Sequence, residues 1–155
     1  MCGIAGLLNS NGAPADRETL EFMNRVQAHR GPDGQGLFLE GPVGLAHVRL
    51  AILDLTEAGH QPLTLDGYTM TYNGEVYNYR ELRKDLEKKG HTFRTGTDTE
   101  VVLASYAEWG TDCLEKFNGM WAFCIYDRKR YRPTIKTRGT DCPGINRSPK
   151  KRGGL

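Results

Sequence analysis

The chain has 155 residues, 38% of them apolar and 26% charged, the balance of a soluble globular protein and not of a fibrous or membrane-spanning one. No run approaches the roughly 18 apolar residues of a spanning helix, and no export signal is recognisable, so the expectation is a cytoplasmic protein without membrane contact. The net charge of +2 hides a split: residues 1–130 hold 14 basic and 18 acidic groups, whereas residues 131–155 hold seven and one.

In chain order, residues 3–9 are apolar and bounded by the turn-like Asn9-Ser10-Asn11-Gly12, which predicts a short buried strand directly after Cys2. From Asp16 to Gln27 the residues Leu20, Met23 and Val26, with Phe22 beside them, predict an amphipathic helix with acidic residues in its first turn. A glycine-containing loop, H-R-G-P-D-G at 29–34, leads into two apolar runs at 37–39 and 43–55, separated by Gly41-Pro42. Tyr68 to Tyr72 alternates as a strand does. After Asn73-Gly74-Glu75, Asn78 and Glu81 signal a helix start, with Leu82 and Leu86 inward and Gly90 as the stop. Thr97-Asp98-Thr99-Glu100 reads as a capping box in which Thr97 caps, Glu100 reaches back and Asp98 occupies the first turn; Val101, Val102 and Tyr106 then face a core. The run 120–126, MWAFCIY, predicts a buried strand. Strands in groups with helices between them argue for an α+β layered fold with largely antiparallel sheets. No G-x-G-x-x-G or Walker pattern occurs, which argues against a dinucleotide or P-loop site.

The four cysteines, Cys2, Cys113, Cys124 and Cys142, show neither zinc spacing nor a disulfide framework. Cys113 and Cys124 read as buried packing residues. Cys2 differs by position: if Met1 is removed, its own α-amine, with a pKa of about 7.7–8.0, can take the proton of the adjacent thiol. Read alone, it is more readily a frayed terminus than a nucleophile. His29, His47, His60 and His91 have no metal-ligand spacing and read as satisfied structural or surface residues, so no metal is expected.

M-C-G-I-A-G at 1–6, H-R-G-P-D-G at 29–34, A-H-x-R-L-A-I-L-D at 46–54, Q-P-L at 61–63, N-G-E-V-Y-N at 73–78 and T-G-T-D-T-E at 95–100 occur in this order. Together they resemble the glutaminase domain of the class II glutamine amidotransferases, in spelling that of the glutamine-hydrolysing asparagine synthetases, over residues 1 to about 128. The resemblance implies an N-terminal-nucleophile hydrolase fold, a four-layer αββα sandwich, here incomplete at its C-terminal end. It also implies that Cys2 attacks the side-chain amide of L-glutamine, releasing ammonia and leaving a thioester that water hydrolyses to glutamate.

By the same resemblance the oxyanion donors are the Asn73 side-chain amide and the Gly74 N–H, a role for which a glycine leaves room. Arg49 would bind the substrate carboxylate and Asp98 and Glu75 its ammonium group, while Leu50, Ala51, Ile52 and Leu53 line the pocket mainly through backbone. Local readings remain beside these: Asn73-Gly74 as a hairpin turn, Asp98 as a helix-dipole residue, Arg49 as a surface ion pair. The loop at 30–34 is expected to shape the pocket, without a catalytic role for Arg30 or Asp33.

The resemblance stops near residue 130. The expected organisation is therefore an amidotransferase domain at 1–130 and a basic, Pro- and Gly-rich tail at 131–155 that is either disordered or the product of out-of-frame translation. The synthetase domain of the resembled family, to which ATP and Mg would belong, is not expected in these residues. No cofactor is expected here; the expected partners are L-glutamine and a synthetase supplied in trans, and nucleic acid is unlikely because the argument for it rests on the tail alone. A non-catalytic fragment or binding module is the alternative.

Overall fold

The computed structural model describes residues 2–51 and 59–138. Strands β1 (Gly3–Leu8), β2 (Gly34–Glu40) and β3 (Val43–Arg49) form an antiparallel sheet in the order β1-β3-β2. Strands β4 (Leu63–Leu65), β5 (Tyr68–Val76), β6 (Gly119–Asp127) and β7 (Arg132–Arg138) form a second antiparallel sheet in chain order. The helices are α1 (Arg17–Val26), α2 (Tyr79–Lys88) and α3 (Asp98–Trp109).

Strand alternation assigns the layers. On β3, Val43 and Leu45 pack on Cys124 and Tyr126 of β6, between the sheets. Gly44, on the opposite face, makes room for Leu20 of α1, whose side chain occupies the place a Cβ would take. The Thr71 hydroxyl of β5 donates across the sheets to the Ala46 carbonyl at 3.0 Å. On the other face of the second sheet, Met70, Tyr72, Val76, Trp121, Phe123 and Ile125 bury against Leu82 and Leu86 of α2 and Val101, Val102 and Leu103 of α3. The result is the expected αββα sandwich, with the larger core under α2 and α3. Cys113 and Cys124 are buried, and burial pushes both thiols up to about 12, as packing residues require. Among the described residues no helix is long and apolar enough to cross a membrane.

Several local expectations are corrected. Strand β1 is an edge strand: Gly3 is buried, but Leu8 is 53% exposed. The inner face of α1 continues from Leu20 to the buried Asn24, an i+4 step, and leaves Phe22 and Val26 exposed. Asn24 is tolerated inside because its amide donates to the carbonyls of His47 and Gly36, at 3.2 and 3.3 Å. Asp16 caps α1 by accepting from the Thr19 N–H at 2.8 Å. Asn78 starts α2 without a side-chain cap and instead bonds the Lys116 carbonyl and the Asn118 N–H. Thr97 likewise makes no side-chain cap; Glu100 reaches further back, accepting from the N–H groups of Arg94 and Thr95 and from the Thr95 hydroxyl.

The boundary at 130 is also too early. Residues Arg132–Arg138 pair with β6, Pro133 opposite Tyr126 and Ile135 opposite Cys124, and the Tyr106 and Thr134 hydroxyls of α3 and β7 lie 3.1 Å apart. β7 is an edge strand, where proline is compatible with pairing, and its Thr and Ile residues suit a strand despite the basic composition. The remainder of the expected tail, residues 139–155, lies outside the described residues, as do Met1 and the predicted pocket residues Ile52 and Leu53.

Candidate active site

An open cavity lies where the N-terminus, the end of β3, the second half of β5 and the start of α3 converge. Of the predicted residues it is lined by Cys2, Arg49, Leu50, Gly74, Glu75 and Asp98. Asn73 and Ala51 are not in its lining. Asn73 shares the face of Thr71, the side of β5 that looks toward the first sheet.

Cys2 is half-buried immediately before β1. Its Sγ receives the Leu50 N–H at 3.4 Å and lies 3.7 Å from the Leu50 carbonyl, while the Arg30 Nε–H donates to the Cys2 carbonyl at 3.1 Å. The H-R-G-P-D-G loop is the brace behind this geometry. Pro32 bridges Arg49, the Asp33 N–H donates to the Arg49 carbonyl at 2.9 Å, and Asp33 Oδ2 accepts the Ala51 N–H at 2.9 Å. Arg30 and Asp33 therefore hold the backbone around the thiol, although no residue of this loop is in the cavity lining.

The hairpin reading of Asn73-Gly74 is overturned, because both residues sit inside β5, opposite Ala122 and Trp121 of β6. A Cβ on Gly74 would lie 2.5 Å from Trp121 Cα and 2.6 Å from the Met120 carbonyl oxygen. The close approach of β6 thus demands glycine here. The edge of β5 that faces away from β6 matters more. β4 covers it only as far as Met70, paired with Leu63. Beyond that point side chains replace the ladder: the Tyr72 N–H donates to Gln61 Oε1 at 2.7 Å and the Val76 N–H to Asp98 Oδ2 at 3.0 Å. Since alternate N–H groups of a strand point to the same edge, the Gly74 N–H points the same way between them, toward the cavity that Gly74 lines.

The charged groups come from different elements. Arg49, the last residue of β3, is 7% exposed and lines the cavity. Asp98, 3% exposed at the first turn of α3, and the half-buried Glu75 of β5 line it from other elements. Burial raises the Asp98 carboxyl above its ordinary range, against hydrogen bonds from the Tyr72 hydroxyl, at 2.5 Å, and the Val76 N–H that hold it down. Glu75 is raised by burial and by the neighbouring Asp98 charge. Two carboxyls raised in this way form a site that a cation would relieve.

Sequence reasoning missed His47, Gln61, Tyr72, Thr97 and Thr99, all of which line the cavity. His47 corrects the reading of satisfied histidines. It is 1% exposed, bonded to the Tyr72 backbone, and its Nε2 has no hydrogen-bond partner among the described residues. Its pKa is lowered to about 4, chiefly by burial and further by Arg49 and His60, so the ring is neutral. Gln61 and His47 fall inside the Q-P-L and A-H-x-R motifs, which signalled their presence but not their contacts. Among the described residues no group of three or more His, Cys, Asp or Glu could hold a metal ion.

A thiol at the N-terminus of an αββα sandwich, facing a backbone N–H and flanked by opposite charges, defines an amidotransferase-like site. Residues 1–144 match the family model described as glutamine amidotransferase domain, and the chain belongs to that family. It is 42% identical to asparagine synthetase [glutamine-hydrolyzing] 3 and 44% identical to asparagine synthetase [glutamine-hydrolyzing] 1, both of Bacillus subtilis, over 84% and 83% of its length. It is 42% identical over 83% of its length to asparagine synthetase [glutamine-hydrolyzing] 1 of Arabidopsis thaliana. It spans only 22%, 21% and 22% of these relatives. Among solved structures, glutamine phosphoribosylpyrophosphate amidotransferase of B. subtilis superposes with a TM-score of 0.68 at 21% identity, covering 83% of this chain and 35% of that one. That likeness concerns the fold.

Proposed function

We propose that this domain hydrolyses the side-chain amide of L-glutamine, with Cys2 as the nucleophile. The observation that carries the reading is that charged groups of both signs, Arg49 at the end of β3 and Asp98 and Glu75 on α3 and β5, line one cavity with Cys2. This polarity suits the α-carboxylate and α-ammonium groups of a free amino acid. The Cys2 sulfur bonds to the amide carbon as its proton passes to the α-amine. The oxygen of the tetrahedral intermediate is received by the Gly74 N–H; the Asn73 amide joins it only if its side chain turns from the inter-sheet face into the cavity. The C–N bond then breaks and the nitrogen leaves as ammonia, carrying the proton that the amine returns. Water adds to the resulting γ-glutamyl thioester as one of its protons passes to the α-amine, the C–S bond breaks, the sulfur takes that proton back as the thiol, and glutamate is released.

The mechanism requires Cys2 to carry a free α-amine, and therefore removal of Met1. In this reading the ammonia is consumed by an asparagine-synthetase-type activity on residues or subunits beyond those described. The test is glutamate release from L-glutamine by the wild type and by Cys2→Ala, with intact mass reporting the state of Met1. Release that depends on Cys2 and on loss of Met1 is expected; equal release by Cys2→Ala would sink the proposal.

A further inference from the structure

We infer that Gln61 and His47 are positioning residues for the oxyanion site, acting by clamping the Tyr72 peptide groups two residues before the Gly74 N–H; the inference rests on the glutaminase reading. The strand bearing Asn73 and Gly74 is supported on one side by β6 but has lost β4 on the other beyond Met70. An unsupported strand edge moves, and a donor that wanders stabilises a developing charge poorly. Here the outward groups of Tyr72 are both taken by buried side chains. Gln61, 8% exposed, accepts the N–H through Oε1 at 2.7 Å, and His47, 1% exposed, bonds the backbone of the same residue. Asp98 holds the Val76 N–H at 3.0 Å on the far side. Gly74 is thus held between fixed points on the same edge. Gln61 is itself located by the first sheet, since its carbonyl oxygen lies where a Cβ on Gly36 of β2 would be. Because the His47 ring is neutral, the clamp presents no second charge to the intermediate.

The inference separates from a general structural role by its effect on ground and transition states. L-Glutamate γ-semialdehyde is the probe: the Cys2 sulfur adds to its aldehyde carbon, the C=O π bond opens and the thiol proton passes to oxygen, giving a thiohemiacetal whose oxygen occupies the oxyanion position. Gln61→Met removes the acceptor at similar length; Gln61→Glu keeps one. We expect Gln61→Met to lower kcat/KM and semialdehyde affinity together, by about tenfold to a hundredfold. L-Glutamine binding in a Cys2→Ala background should stay within about twofold, with partial recovery in Gln61→Glu. Equal weakening of glutamine and semialdehyde, or an unchanged semialdehyde affinity, overturns the inference. If the wild type binds the semialdehyde but does not turn glutamine over, the hydrolysis reading fails while the affinity comparison still decides the clamp. If it does neither, both fail.

Discussion

The buried neutral His47 makes the stability of the fold depend on pH in a calculable way. In the unfolded chain an imidazole titrates near 6.5, and in the fold burial holds His47 at about 4. Above pH 6.5 the ring is neutral in both states and has no effect. As the pH falls from 6.5 toward 4, the unfolded chain binds a proton that the folded one refuses, so stability is lost over that interval and the loss is complete below it. At about 1.4 kcal/mol per pH unit the ceiling is roughly 3 kcal/mol, of which about 2 kcal/mol is lost between pH 8 and pH 5. Urea unfolding of the wild type and of His47→Asn at these two pH values isolates this contribution. The asparagine leaves a cavity, but that penalty is present at both pH values and cancels in the difference. The wild type should lose about 2 kcal/mol more than His47→Asn on moving from pH 8 to pH 5. Equal losses would refute the assignment of a buried, neutral ring.

Two further substitutions probe β5. Tyr72→Phe removes a hydrogen bond that lowers the Asp98 carboxyl, so that carboxyl rises further. KM for L-glutamine should increase by about tenfold, corresponding to loss of one hydrogen bond to a charged group. The acid limb of 1/KM should move to higher pH, whereas an unmoved limb would detach Tyr72 from ammonium recognition. Gly74→Ala places a Cβ 2.5 Å from Trp121 Cα, a contact with backbone that no rotamer change relieves. The β5–β6 ladder must open, at a cost of about 1–3 kcal/mol, and both stability and glutamate release should fall; an unchanged Tm would show that the strands are not so closely apposed.

Elements whose signals are local were legible in the sequence: Leu82 and Leu86 on α2, the apolar run of β6, and Asp98 at the first turn of α3. Asn73-Gly74 was ambiguous for a physical reason. Asparagine followed by glycine is a strong turn signal when only its neighbours are considered. Its actual role is fixed by β6, whose Trp121 backbone leaves no room for a Cβ on Gly74. The side chains that complete the site are harder to read still. Gln61 and His47 act because β4 stops pairing at Met70, leaving peptide groups of Tyr72 that other elements must satisfy. No periodicity encodes where one strand stops covering another. Composition failed at the other end for a related reason: Arg132–Arg138 is basic and contains a proline, yet a strand at a sheet edge needs pairing partners on one side only, and β6 supplies them. The charge split thus marks a change of material without marking the limit of the fold. In the proposed reading the polarity that bears on function lies within the acidic portion, where Arg49 and the Glu75–Asp98 pair line one cavity from different elements. An average over the chain cannot register that arrangement, because it depends on which element carries each residue into the cavity.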